Sequence, residues 1–500
     1  MNYRFSLFFC FALITISNLF AQQHTHDRGC GVTESHPWMD AYLAGEIATP
    51  RSLTPLALPV RYIFVGRSDG TGYAVLDDLL EAHCLANEDF GPSNLSFYIE
   101  SMDTINNTTY FNNGSGNQMM GFNNQSGVIN IYLIGNAEGI CGYYSPFRDA
   151  IVMRNDCMSS TDHTLSHEIG HYLALRHTFF GWEGEGGPNN DPSYLPTDEN
   201  APSFINGQAV ERADSSNCSF AADGFCDTPP DYASFSWSCN FEGIYPDSLL
   251  DPDGIKFGMR TGNIMSYTSN ACTDSFSTQQ MTAMEVNANS RVSLHTGETF
   301  TDFVPGVTDL IAPDDGESLP ANDFALLEWE AVDDADFYIV QINFTSNFNG
   351  AVLRQWVVYD DTSLAITDGL INNRFYFWRV RAVNKHFPCT DNASSVRQFR
   401  NGNVSNVNDP ILDAAITVFP NPAIAGAQSI QIQGEGLPYS GLFSYELTDA
   451  TGRVLRASSP VPVSGSSLRQ EIQVDQLTTG VYFLRLRLDG RLLTRRVVLL

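Results

Sequence analysis

The segment His167-Glu168-Ile169-Gly170-His171-Tyr172-Leu173-Ala174-Leu175-Arg176-His177 sets a geometric condition on the fold. On a helix, His167 and His171 stand one turn apart and point the same way. Two neutral imidazoles on one face can hold a single Zn²⁺, with Glu168 beside them as general base. If the helix continued, His177 would lie a further rise of about 9 Å and a rotation of roughly 240° beyond His171. No ion could bind all three at about 2.1 Å in that geometry. A three-histidine site therefore requires the chain to turn sharply between Leu173 and His177.

The 500 residues suffice for about three domains. Residues 1–21 begin with Arg4, run apolar through Phe5–Ile16 and end at Ala21, the layout of a signal peptide and too short to span a bilayer. Nine cysteines remain after it, in a compartment that permits disulfides. Four of them, Cys218, Cys226, Cys239 and Cys272, crowd into one region and predict two bridges of unassigned connectivity. Residues 22–52 read as a short pro-segment. It carries Cys30, either a thiolate that occupies an open zinc position or one half of a bridge to the following domain. Arg51-Ser52, in a Pro-rich linker, is the candidate cleavage point.

Residues 53–302 read as the catalytic domain. Leu58–Val65, Leu95–Glu100, Val128–Ile134 and Ala150–Met153 have strand patterns, and Tyr73–Ala86 has helical spacing. Asn106–Gln125 is polar and reads as a loop, and Gly181–Asn217 as a long acidic loop. The helix bearing the histidines is expected over Ser160–Arg176, capped by Ser160, Thr161 or Asp162. Downstream, Ala222-Asp223-Gly224-Phe225-Cys226-Asp227-Thr228 clusters hard oxygen donors suited to Ca²⁺. The alternative reading of this stretch is a tight turn with solvated carboxylates.

These residues carry a family resemblance. HExxHxxGxxH followed by a Met-turn is the metzincin signature, and the spacing here resembles its pappalysin (cytophagalysin) branch. The family's turn glycine falls at Ala174, where the left-handed conformation disfavours alanine by roughly 1 kcal/mol. Gly262-Asn263-Ile264-Met265-Ser266-Tyr267-Thr268 resembles the Met-turn. The resemblance implies Met265 as an apolar floor beneath the zinc and Tyr267 as a hydrogen-bond donor to the reaction's oxyanion. It also implies a cysteine switch at Cys30 and structural calcium near Asp223, Asp227 and Thr228. Phe276-Ser277-Thr278-Gln279-Gln280-Met281 matches the segment that opens the family's last helix.

Residues 303–400 alternate like sandwich strands at Leu326–Trp329, Phe337–Phe344, Val352–Tyr359 and Phe375–Val383. Trp329, Tyr338, Tyr376 and Trp378 resemble the core aromatics of a fibronectin type III domain, and Cys389 has no partner within the module. A linker, 401–410, precedes residues 411–500. Val418-Phe419-Pro420-Asn421-Pro422, Leu447–Leu455 and Leu477–Arg485 there resemble the C-terminal sorting domain of type IX secretion substrates. That resemblance implies a Bacteroidetes-type source and an export machine as partner.

The expected architecture is multidomain: an α/β metzincin-like catalytic domain followed by two all-β sandwiches. The net charge of −30 lies upstream of residue 411 and argues against nucleic acid as a partner, since phosphate binding needs clustered Lys and Arg. The expected function is a secreted zinc endopeptidase, with one zinc on His167, His171 and His177, Glu168 as base, and protein or peptide substrates. The alternative is a surface adhesin whose metalloprotease domain is inactive.

Overall fold

The structure is a computed structural model that describes residues 35–500 apart from short interruptions, the longest at 184–193 and 403–409. The expected signal peptide, Cys30 and the Arg51-Ser52 bond lie outside the described residues. No described helix is long and apolar enough to cross a membrane.

The first domain is built on strands β1 (Leu56–Gly66), β2 (Leu95–Asn106), β3 (Ile129–Ile134), β4 (Gly142–Ser145) and β5 (Ala150–Arg154), in sheet order β2-β1-β3-β5-β4. All are parallel except β4, which closes the edge antiparallel to β5. Parallel strands are buried on both faces, and β1 shows how its residues divide. Leu58, Val60, Tyr62 and Phe64 face a core shared with α2 (Leu76–Asp89), α5 (Thr164–Tyr172) and α6 (Thr278–Ser290). Ile63 and Val65 face the opposite side, against Phe111, Met119 and Met120. Each such side chain contributes roughly 1.5–3 kcal/mol by leaving water.

Several sequence expectations need correction. Residues 106–125 are not a plain loop but hold α3 (Thr108–Phe111) and α4 (Gly116–Asn123). Asn107 Oδ1 accepts from Thr109 N and Tyr110 N to start α3. Three apolar side chains among many amides were enough to dock both helices. The histidine helix is shorter than expected: α5 spans Thr164–Tyr172, with Asp162 Oδ1 accepting from Thr164 N at 3.0 Å. The acidic loop holds a small hairpin, β6 (Phe204–Ile205) with β7 (Gln208–Ala209). Further on, β8 (Ile244–Leu250) pairs with β9 (Lys256–Arg260). Helix α1 (Pro37–Leu43) lies in the stretch read as a pro-segment and buries Met39 in the main core.

The cysteines pair as Cys141–Cys157, Cys218–Cys226, Cys239–Cys272 and Cys84–Cys389. Cys389 is therefore not free. Its partner lies 305 residues away on α2, a pairing that only the packed fold brings together.

That bridge fastens the β-sandwich of residues 303–400 to the first domain. One sheet of the sandwich holds β10 (Leu310–Ala312), β12 (Ala325–Trp329) and β15 (Ser363–Ile366). The other holds β11 (Glu317–Leu319), β17 (Arg397–Asn401), β16 (Arg374–Val383), β13 (Phe337–Asn343) and β14 (Arg354–Tyr359). Trp329, Tyr338, Tyr376 and Trp378 are buried between the sheets. Alternation along β13 sends Tyr338, Val340 and Ile342 into this core and Phe337 and Ile339 into the core of the first domain. Arg381 pairs with Asp77 on α2 at 3.2 Å, and Lys385 with Glu298 at 2.8 Å. A separate two-sheet domain with its own core, from Ile416–Phe419 to Arg491–Leu499, ends the chain.

Candidate metal centre

Helix α5 carries His167 and His171 on one face, and its C-terminus sets the position of His177. Ala174 N donates to His171 O and Leu175 N to Gly170 O, the paired bonds of a Schellman motif. The motif needs a left-handed residue after the C-cap, and Ala174 adopts it with φ +76. The chain then reverses, and His171 Nδ1 bonds Leu175 O at 2.8 Å across the turn. An Ala174→Gly variant gains about 1 kcal/mol of relieved backbone but gives up a buried methyl worth about 0.8 kcal/mol. Its thermal melt should match the parent's, whereas Ala174→Val should lose about 2 kcal/mol or more.

The result is a tight triangle. His167 Nε2 lies 3.1 Å from His171 Nε2 and 3.3 Å from His177 Nε2, and the latter two are 3.1 Å apart. Ligands at about 2.05 Å on a tetrahedral ion would stand about 3.3 Å apart. Each Nδ1 faces an oxygen: His167 meets Ile264 O at 2.7 Å, His171 meets Leu175 O, and His177 meets Glu183 Oε1 at 3.1 Å. Each Nδ1 therefore carries the hydrogen of a neutral ring. Burial holds the rings neutral, lowering His167 to about 4 and His171 and His177 well below the ordinary value. Three Nε2 lone pairs then converge with no proton between them, an arrangement that fits a divalent cation. Among the described residues no other group of His, Cys, Asp and Glu brings three ligand atoms together in this way.

Glu168 is fully buried beside the triangle, beneath β4. A Cβ at Gly142 would come within 3.0 Å of Glu168 Oε1, so the glycine lets the edge strand pass close over the carboxylate. A second close approach lies under α5, where a Cβ at Gly170 would meet Met265 Sδ at 2.6 Å. Met265 is thereby seated against the helix. Its carbonyl accepts from Thr178 N at 3.2 Å. The Tyr267 ring stands 5.0 Å from that of His177 and 6.0 Å from that of His167. Buried Asp231 joins the two segments, accepting from Thr178 Oγ1 at 2.6 Å and Ser266 Oγ at 2.7 Å.

The candidate calcium residues part company. Asp223 is buried, accepts from Phe225 N and Thr228 Oγ1, and is pushed up to about 7 by burial. Asp227 is exposed and accepts from Gln279 N in the first turn of α6. Beside Asp223 lies Glu211, a residue that sequence reasoning missed. It is 1 % exposed, and its Oε1 has no hydrogen-bond partner. Burial, then Asp223 and Asp231, push it up to about 9.

Glu183 was missed as well. It is an isolated acid in an acidic loop with no motif to mark it, yet its two oxygens take His177 Nδ1 and Gly181 N. Burial pushes it up to about 8, and a cation at the histidines would favour its charged form. Glu183→Gln should weaken zinc affinity by about 10–100-fold, measured by competition with a chromogenic chelator.

Comparison with known proteins adds to this geometry. Residues 417–500 match the family described as "Secretion system C-terminal sorting domain", which indicates an exported or cell-surface protein of Bacteroidetes type that engages a secretion machinery. An extracellular metalloprotease of Colletotrichum graminicola is 26 % identical over 287 residues, 51 % of this chain and 88 % of that protein. Similar solved structures include metalloproteinase-II of Bacteroides fragilis, with 13 % identity and a TM-score of 0.20, over 29 % of this chain and 52 % of that one. Another is the BSP domain of a biofilm-associated protein, with 15 % identity and a TM-score of 0.18, over 38 % of this chain and 29 % of that one. The chain thus spans about half or less of these two solved chains.

Proposed function

We propose that the chain is an exported zinc endopeptidase of the metzincin type, close to the pappalysin branch. The observation that carries this is the convergence of three bare Nε2 atoms beside a buried glutamate at the open edge of a sheet. A zinc ion on His167, His171 and His177 would supply Lewis acidity for amide hydrolysis. Glu168 takes a proton from the attacking water and hands it to the leaving amine. Tyr267 donates to the oxyanion of the tetrahedral state, and Met265 floors the site. The free edge of β4 binds extended substrate by strand addition.

Cys30 is the latency ligand in this reading. Two observations support it: every described cysteine is already paired, and the chain from Ser35 onward docks near the site. Arg176, next to His177, donates to Ser35 Oγ and Asp40 Oδ1, and five residues of extended chain reach about 17 Å. Glu211, Asp223 and Thr228 form the calcium site, because two adjacent buried carboxyls with raised affinity for protons call for a cation. The fibronectin-like module braces the catalytic domain.

Metal analysis of the exported protein, paired with cleavage of a denatured protein, tests the proposal. One zinc per chain with chelator-sensitive cleavage is the expected result. Stoichiometric zinc without cleavage, after removal of the residues up to 34, would favour the binding-protein alternative.

A further inference from the structure

In a free-standing sandwich, β13 would bury one face and leave the other in water. Here β13 is buried on both faces. Phe337 and Ile339, with Val383 on β16, are each 2 % exposed or less inside the core of the first domain. The contact continues along the outer edge of the α/β sheet. Ile99 N on β2 donates to Lys385 O at 2.9 Å, and Met102 N to Tyr359 Oη at 3.1 Å. Backbone groups that an edge strand would leave open thus find partners in the sandwich.

Helix α2 stands between the sandwich and the histidine helix. At its start, Asp77 accepts from Arg381 Nη2 at 3.2 Å and from Gln341 Nε2 at 2.9 Å. In its third turn, Cys84 carries the bridge to Cys389. At its end, Asp89 is 8 % exposed and reaches the first turn of α5. Its Oδ2 meets His163 Nδ1 at 2.8 Å and accepts from Ser166 Oγ. The carboxylate also lies at the N-terminus of α5, where the helix dipole favours negative charge. The next residue, Phe90, packs on Phe276 with ring centroids 4.9 Å apart, and Phe276 packs against α5 at Gly170. Helix α2 therefore meets the sandwich along one side and holds α5 through one polar and one apolar residue.

Resting on the zinc endopeptidase reading, we infer that the sandwich is a working part of the catalytic unit and acts through α2. Asp89 is the positioning residue: it sets the first turn of α5, directly ahead of His167 and Glu168. Asp77 and Cys84 are the points at which the sandwich fixes α2. A sandwich that served only as a spacer or binding arm would need none of these contacts and would carry Phe337 and Ile339 on an open face.

The test uses the full-length protein freed of its first 34 residues, with zinc affinity measured by competition with a chromogenic chelator. Asp89→Asn should raise the zinc Kd about tenfold. Its loss of turnover should fall on kcat rather than KM, because β4 is untouched. Arg381→Met should raise the zinc Kd about threefold, although its partner Asp77 lies at the far end of α2. The double variant should match Asp89→Asn alone, since residues acting through one element do not add. Ile342→Val, in the sandwich's own core, is the control: it should lower the melting temperature and leave the zinc Kd where it was. An unchanged Kd in Arg381→Met, or full additivity in the double variant, would overturn the role of the sandwich while leaving the protease standing. An equal rise in Ile342→Val would overturn it as well, by showing general destabilisation. If Asp89→Asn does not fold, Ser166→Ala takes its place and the same pattern is required of it. A parent protein that holds no zinc overturns both readings.

Discussion

Glu168→Gln should lower kcat/KM by about 10³–10⁴-fold while the protein keeps one zinc per chain. Gln has the shape of Glu and fits the same slot beneath Gly142, so the sheet edge stays where it is. The three histidine Nε2 atoms and their Nδ1 partners lie on other residues and are untouched. What is lost is the group that, in the proposed mechanism, accepts a proton from the attacking water. Zinc by mass spectrometry and cleavage rate, measured on the same preparation, separate this from a folding defect. Zinc loss together with activity would mean that Glu168 shapes the site rather than acting in it.

Calcium dependence should have a pH signature set by Glu211 and Asp223. In the unfolded chain these carboxyls ionise near 4.5 and 3.8; in the metal-free fold they are pushed up to about 9 and about 7. Between those values the folded state holds protons that the unfolded state has released, so stability falls as pH rises from about 3.8 toward 9. At the proposed site calcium would replace the protons as counter-charge. At a hundredfold excess over its Kd it should add about 2.7 kcal/mol at pH 8 and little at pH 5, where the carboxyls hold protons. Glu211→Gln should flatten the pH slope of the calcium-free protein and remove most of the calcium response. Thermal melts at both pH values with and without Ca²⁺ decide this. An undiminished calcium shift in the variant would move the ion elsewhere.

Some of this was legible in the sequence and some was not, for physical reasons. Strands β1, β3 and β5 announced themselves because strands buried on both faces must be apolar nearly throughout. The histidines were readable because a helix fixes the relation of His167 to His171, and because His177 can join them only through a turn. The left-handed Ala174 supplies that turn. The edge strand β4, Gly-Tyr-Tyr-Ser, is four residues long and has no alternation to detect. Glu183 and Glu211 are single acids in an acid-rich stretch, and their importance comes from burial that only tertiary packing creates. Cys389 was unreadable for a related reason, since its partner is chosen by how β-sandwich and helix meet.

That last bridge has a bearing on how the molecule can be shed. Cys84 and Cys389 bracket most of the first domain and nearly all of the sandwich. A single nick anywhere between them leaves two pieces covalently joined. Removal of the sorting domain alone has to be by a cut beyond Cys389, and residues 401–410 lie there. After any single cut the form held together by this bridge therefore carries the sandwich with it, as permanent cargo of the first domain rather than a detachable handle.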